Sequence, residues 1–372
     1  MKRSAIALVA ALTVALSAGS ALAFHDGGVA YCAGCHTMHV SQDGRTGMHW
    51  TPGGNPYLLK FGNATDTCVR CHYWRGQMSN GQGYGPGGDF YWLTRSFSWT
   101  TSYGTTESSP ANTHGHNVAN KVFYIPVDPV LSSAPGGDFL SSNLGCTSCH
   151  DPHGNTNFRM LYDSTLGPVY GAGGRYSFAA DAPVAVGTFG STVVGGGGNE
   201  TNTQHTVYKG GVSEWCANCH AGMHGDANDK FQHPTGVMLT SAIADNYNAY
   251  VSTENPDGGD PATSYMGLVP FEAVAIDLAA VNPANETGGP GASDRVMCLT
   301  CHRAHASPFA DAGRWDFSAT YLLTDSHPKA GDTGASAADI ANRYYGYTFT
   351  ANQRSLCNKC HAKDYGDRLP NP

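Results

Sequence analysis

The first pattern along the chain is a short apolar run framed by two different ends. Lys2 and Arg3 precede apolar residues from Ala5 to Leu16, and Ala21, Leu22 and Ala23 follow as a small-residue exit. These are the three parts of a secretory signal, so residues 1–23 are expected to be removed and the mature chain to begin at Phe24. Phe24 is not a cysteine, which argues against a lipid-anchored lipoprotein. Beyond the leader, no stretch approaches the roughly 20 apolar residues needed to cross a bilayer. Helices are expected from Ser213 onward, over Leu239–Val251, over Phe271–Ala280, and after Ser336, where Asp339 three residues later completes a capping box. Glycine-rich stretches at 81–88, 187–198 and 288–291 read as loops. Coil, turns and short strands are expected elsewhere.

Composition sharpens this picture. Glycine (47) and proline (20) make up about 18% of the chain, which rules out long unbroken helices and wide sheets. Only 13% of residues are charged, too few for disorder driven by charge repulsion. Without Lys2 and Arg3 the basic side chains number 19 against 29 acidic, a net of −10. That balance argues against nucleic acid or an anionic lipid surface as partner, since both need basic patches. It suits cations, oxidised minerals and basic proteins.

All twelve cysteines fall in one repeated pattern: Cys32-Cys35-His36, Cys68-Cys71-His72, Cys146-Cys149-His150, Cys216-Cys219-His220, Cys298-Cys301-His302 and Cys357-Cys360-His361. Each is C-x-x-C-H, the attachment sequence for c-type haem. Disulfides, structural zinc and thiol exchange all use paired cysteines, but none requires a histidine after the second one. With 17 histidines in 372 residues, six matches by chance have odds on the order of one in a hundred million. Positions i, i+3 and i+4 share one face of a helical turn. Two thiols therefore reach the edge of a macrocycle while the imidazole points at its iron. The twelve cysteines are expected to attach six haems c, with His36, His72, His150, His220, His302 and His361 as proximal iron ligands. The mature chain has about 58 residues per haem, near the size at which a domain is marginal on its own. The expected fold is a haem-cored multihaem cytochrome c, mostly coil with few short helices and strands and no large sheet, in one domain over 24–372.

Eleven histidines remain for the distal faces. His39, His153 and His305 stand three residues after a proximal histidine, and His224 stands four after. One turn on, such a residue cannot reach the far side of its own haem, so it is expected to ligate a neighbouring one. His116 and His233 are taken for the remaining two positions, leaving His25, His49, His114, His205 and His327 as spares. Motif starts are 36, 78, 70, 82 and 59 residues apart, too irregular for a stacked solenoid. The haem motif is therefore expected to repeat without a repeating fold around it. Pro-Gly-Gly-Asp-Phe occurs at 86–90 and again at 135–139. Turn chemistry accounts for both copies, with no cofactor role expected.

Several blocks extend beyond the motif. They include Phe24-His25 with Gly27-Gly28-Val29-Ala30, Cys35-His36-Thr37-Met38-His39, Cys149-His150-Asp151-Pro152-His153-Gly154, Ser213-Glu214-Trp215-Cys216-Ala217-Asn218-Cys219-His220, Cys301-His302-Arg303-Ala304-His305-Ala306-Ser307 and Cys357-Asn358-Lys359-Cys360-His361-Ala362-Lys363-Asp364. In these blocks the chain resembles the OmcS-type hexahaem c-type cytochromes that form extracellular nanowire filaments in metal-reducing bacteria. The segment after Cys71-His72 and residues 171–212 depart from that pattern. The resemblance implies a head-to-tail homopolymer, a continuous haem chain along its axis and little regular secondary structure. It implies that the residue matching His39 ligates the fifth haem of the next subunit, the one held by Cys298, Cys301 and His302. Counterparts exist for His116, His153, His224, His233 and His305, and none for His49, His114, His205 or His327.

Two function classes follow from the ligand count. Twelve histidines on six irons leave no open coordination position, which points to outer-sphere electron transfer, not enzyme chemistry. The expected role is an extracellular conduit, exported through the periplasm to the cell surface. Other multihaem cytochromes would be its donors, and metal oxides or partner cells its acceptors. A multihaem oxidoreductase would need a haem with a free face. A monomeric periplasmic shuttle would differ only in the destination of His39.

Overall fold

The computed structural model describes residues 32–38, 41–42, 45–46, 55–73, 78, 86–170, 174–187, 200–224, 233–347 and 352–361. The leader, His25, His39 and His49 lie outside them. Among the described residues no helix exceeds nine residues and no sheet exceeds two strands. None of these helices is long and apolar enough to cross a membrane. The helices are α1 (Cys32–Cys35), α2 (Ala64–His72), α3 (Val212–His220), α4 (Ser241–Ala249), α5 (Cys298–Cys301), α6 (Ala337–Asn342) and α7 (Gln353–His361). The longest hairpin pairs Phe97–Thr100 with Thr106–Ser109, antiparallel. As expected, loops dominate and there is no large sheet.

Local chemistry sets most helix starts. The Asn63 side chain accepts from the Asp66 amide at 2.7 Å to cap α2. Thr240 caps α4, and Ser336 with Asp339 forms the expected reciprocal box on α6. Helix α3 begins differently. Gly211 offers no side chain, and the buried Glu272 carboxylate accepts the Val212 amide at 2.7 Å from 60 residues away.

That contact corrects one expectation: residues 271–280 form turns, not a helix. Glu272 exchanges two backbone hydrogen bonds of 3.0 Å with Arg295, and the Ala273 amide donates to Tyr208. Extended backbone at 272–273 makes three long-range hydrogen bonds, and the Glu272 side chain caps α3 as well. Those bonds outweigh the helix propensity of an alanine-rich run.

The apolar core is divided. One cluster gathers Leu239, Tyr247, Leu268, Phe271, Phe309, Trp315 and Leu322 around α4 and α7. A second gathers Phe90, Trp92, Leu93, Phe97, Val118 and Ile125. A third, of Tyr208, Val212 and Met297, joins α3 to α5.

Buried in this frame, His205 stacks on Tyr265 with ring centroids 3.9 Å apart. Burial pushes its pKa down to about 4. The folded value lies below the unfolded one, so His205 costs nothing above about pH 6.5 and progressively destabilises the fold as pH falls towards 4. The full effect is on the order of 3 kcal/mol. In denaturant titrations, His205→Phe should flatten the loss of stability between pH 6.5 and 4. An unchanged pH profile would contradict the assignment.

Candidate functional site

The six motifs adopt two local forms that alternate along the chain. The second, fourth and sixth close nine-residue helices, with His72, His220 and His361 as the last residues of α2, α3 and α7. The first, third and fifth occupy single turns, Cys32–Cys35, Cys146–Ser148 and Cys298–Cys301.

Each single-turn motif is clasped by a second turn holding two successive left-handed residues: Tyr57 and Leu58, Arg159 and Met160, Asp311 and Ala312. The carbonyl of the first accepts the proximal Nδ1–H: His36 to Tyr57 at 2.9 Å, His150 to Arg159 at 2.8 Å and His302 to Asp311 at 2.8 Å. The carbonyl of the second accepts the amide that follows each histidine, at 2.7 to 2.8 Å. Positive φ is unfavourable for side-chain-bearing residues. It recurs here three times for one purpose, aiming a carbonyl at Nδ1. The expectation that nothing repeats except the motif is therefore corrected. The clasp repeats too, nine residues after His150 and His302 and 21 after His36.

Fixing Nδ1 leaves Nε2 as the free nitrogen and orients the ring, as the outer partners of metal-bound histidines do. Two imidazoles on opposite faces of one iron, with Fe–N near 2.0 Å, would place ring centroids about 6.3 Å apart. His36 faces His153 at 6.3 Å, with the rings within 12° of parallel. His150 faces His305 at 6.3 Å, His220 faces His116 at 5.9 Å, and His361 faces His233 at 6.0 Å. Four proximal histidines thus each stand opposite a histidine singled out by sequence, at the spacing a six-coordinate iron requires. Burial pushes the His305 pKa down to about 3, and burial followed by the charge of His220 lowers that of His116. Both rings are held neutral, the form that binds a metal.

His224 lies just after α3, its Nε2 buried with no hydrogen-bond partner. His39 is outside the described residues. His302 has Phe317 edge-on at 5.5 Å, and among the described residues no imidazole stands opposite it. Three spare histidines are engaged elsewhere. His114 bonds Ser109 and the Trp92 carbonyl, His327 bonds Asp332 at 2.6 Å and stacks on Trp99, and His205 stacks on Tyr265.

The cysteines of successive motifs lie near one another in space: Cys35 by Cys68 and Cys71, Cys68 by Cys146, Cys149 by Cys219, Cys216 by Cys298, and Cys301 by Cys357. Each attachment point therefore adjoins the next. The third and fourth sites are also joined by backbone, since the His116 amide donates to the His305 carbonyl at 2.9 Å and His116 Nδ1 to Ala304 at 2.7 Å.

The repeated Pro-Gly-Gly-Asp-Phe turns take part in this after all. Pro135 accepts the Nδ1–H of His220 at 2.9 Å, and Pro86 accepts from the Arg303 guanidinium. Their glycines press on the same segments: Gly87 against the His305 ring and Gly137 against the Cys219 carbonyl. At Gly137 only a residue without Cβ fits, because a Cβ there would overlap the Cys219 carbonyl. Gly137→Ala should destabilise the fold by about 2 kcal/mol or more and lower the haem content at Cys216 and Cys219. Intact mass and thermal melting would show it, and a fully loaded variant with unchanged melting would count against it. The repeated pentapeptide was the one sequence signal for these supports. Carbonyl acceptors such as Tyr57, Arg159 and Asp311 have none, because any residue supplies a carbonyl.

No family model matches the chain. The C-type cytochrome OmcS of Geobacter sulfurreducens is 32% identical to it over 438 aligned positions, covering 96% of this chain and 98% of the relative. Two solved structures share the fold. One, a cryo-EM structure of OmcS nanowires from Geobacter sulfurreducens, has a TM-score of 0.76 at 28% identity. The other, the Outer Membrane Cytochrome S filament from that organism, has a TM-score of 0.75 at 29% identity. Each match covers 91% of this chain and 100% of the solved one. Likeness over nearly the whole length, on a frame built around C-x-x-C-H turns and facing imidazoles, establishes that this chain belongs to the OmcS family of c-type cytochromes.

Proposed function

We propose that the mature chain, residues 24–372 as one domain after loss of a signal at 1–23, carries six covalently bound haems c and polymerises head to tail into an extracellular electron conduit. Cys32, Cys35, Cys68, Cys71, Cys146, Cys149, Cys216, Cys219, Cys298, Cys301, Cys357 and Cys360 attach the haems. His36, His72, His150, His220, His302 and His361 are the proximal ligands, and His39, His116, His153, His224, His233 and His305 the distal ones. Bound haem supplies a one-electron iron centre, and the chain's own residues fix its position, its axial ligands and its neighbours.

One observation carries the polymer. The histidine trailing the third motif faces the proximal histidine of the first, and the one trailing the fifth faces that of the third. Each single-turn motif thus hands a ligand back two places. The histidine trailing the first motif is His39, and the same step back from it leads out of the chain, to the fifth motif of another copy. His302, without a facing imidazole among the described residues, is the matching acceptor. A contact between two different surfaces that does not close on itself generates a fibre. Adjoining attachment points within the chain support transfer in motif order, and complete axial ligation supports a carrier in place of an enzyme. Other multihaem cytochromes supply electrons, and extracellular acceptors such as metal oxides or partner cells take them.

Negative-stain microscopy of sheared surface material should show filaments, and ferric EPR of those filaments should show low-spin iron only. A stoichiometric high-spin signal from long intact filaments would instead favour an oxidoreductase with an open haem.

A further inference from the structure

Resting on the reading of six attached haems, one further residue bears on the chain of irons without attaching or ligating any of them. Glu272 is wholly buried, and its carboxylate lies at the joint between the fourth and fifth motifs. Its Oε1 accepts the Val212 amide at 2.7 Å, and the carboxylate accepts that of Ser213 as well. These amides open α3, the helix that carries Cys216. The Ser213 hydroxyl in turn accepts the Cys298 amide at 3.2 Å. Cys298 lies within reach of the Glu272 charge and beside Cys216. One carboxylate therefore stands close to two attachment points at once.

Its surroundings are balanced between the two protonation states. The positive end of α3 and its amides favour the ionised form. Burial opposes them most strongly and the like charge of Glu214 adds to it, while Arg295 acts the other way, and the net direction of the pKa is upward. Oε2 is buried with no hydrogen-bond partner, as are Glu214 Oε2 and Arg295 Nε. An unpartnered oxygen leaves the anion poorly solvated and gives a proton a place to bind. Of the other neighbours, Tyr208 pairs with Glu272 through backbone, and the Asp294 carboxylate is occupied by the Gly291 and Val274 amides.

We infer that Glu272 couples a proton to the electron passing between the fourth and fifth haem sites and so sets their potentials. An electron arriving at either iron removes one positive charge, and the Glu272 carboxylate takes up one proton from water. When the electron leaves, the proton returns to water. By reciprocity the ionised carboxylate stabilises ferric iron, so the potential falls as pH rises. The expected size is about tenfold in proton affinity between the two iron states, ordinary for unit charges a side chain or two apart in a protein interior.

The experiment is a spectroelectrochemical titration of the haem-loaded protein at pH values from about 5 to 9, on the wild type, Glu272→Gln and Glu214→Gln. Wild-type midpoints should fall further with pH than those of Glu272→Gln. The two proteins should agree at low pH, where Glu272 is neutral, and diverge above. Reduction in weakly buffered solution should take up more protons in the wild type than in Glu272→Gln. Glu214→Gln keeps the cap on α3 and removes the like charge, so it should move the fall in potential to lower pH. Superimposable pH profiles of wild type and Glu272→Gln would overturn the inference and leave the six haems standing. Wild-type midpoints independent of pH would overturn it whether or not Glu272→Gln folds, and so would a fall that Glu214→Gln leaves in place. An intact mass short of six haems would instead overturn the reading on which it rests.

Discussion

His39→Ala chains should stay monomeric and carry one high-spin haem each, while the other five remain low-spin. The expectation follows from the ligand step seen twice inside the chain, from His153 to the His36 site and from His305 to the His150 site. Repeated once more, that step would cross between copies, as proposed above. On that reading, loss of His39 would remove the distal nitrogen from the His302 site of the neighbour and with it the coordinate bond across the junction. Assembly and low-spin ligation at one site therefore fail together. Added imidazole should restore the low-spin spectrum without restoring fibres, because the ligand would no longer be tethered to a second chain. Microscopy and EPR on the same sample read both effects. Normal fibres with uniformly low-spin iron would end the shared-ligand proposal.

The second large effect concerns the chain without its cofactor. Haem-free protein, produced where the attachment machinery is withheld, should be unfolded, with no cooperative melt. The longest helices of the described structure have nine residues, below the roughly 12 to 15 at which even good helix formers become marginal in water. Its sheets are two-stranded, and an isolated hairpin is marginal as well. The apolar side chains gather in three separate clusters. A porphyrin buries apolar surface worth on the order of 10 kcal/mol before entropy is counted, so six of them outweigh any of the clusters. Circular dichroism and a thermal scan of haem-free chain settle the matter. A compact form melting cooperatively would show that the protein has a core of its own.

What could be read in advance depended on how local the cause was. The C-x-x-C-H motifs were legible because thioether attachment and iron ligation both need residues within one helical turn. The cap at Ser336 was legible for the same reason, since its partner Asp339 is three residues away. Phe271–Ala280 misled because its backbone partners, Tyr208 and Arg295, come from distant segments. The clasps escaped notice because their working atoms are carbonyls of residues as different as Tyr57, Arg159 and Asp311. In sequence the second Pro-Gly-Gly-Asp-Phe copy carries turn chemistry alone, because its Pro135 carbonyl meets His220 from 85 residues away.

By itself, the sequence determined the c-type haem chemistry, the six C-x-x-C-H motifs and which histidines stand outside them, because bond formation depends on residue type and short spacing. The tertiary structure alone decided which imidazole faces which, that consecutive thiols adjoin, and that His302 is left without a described counterpart. Those outcomes rest on contacts such as His36 with His153 and His116 with His220. The partners there are more than a hundred residues apart, and no local propensity acts over that distance. Packing of the whole chain brings them face to face.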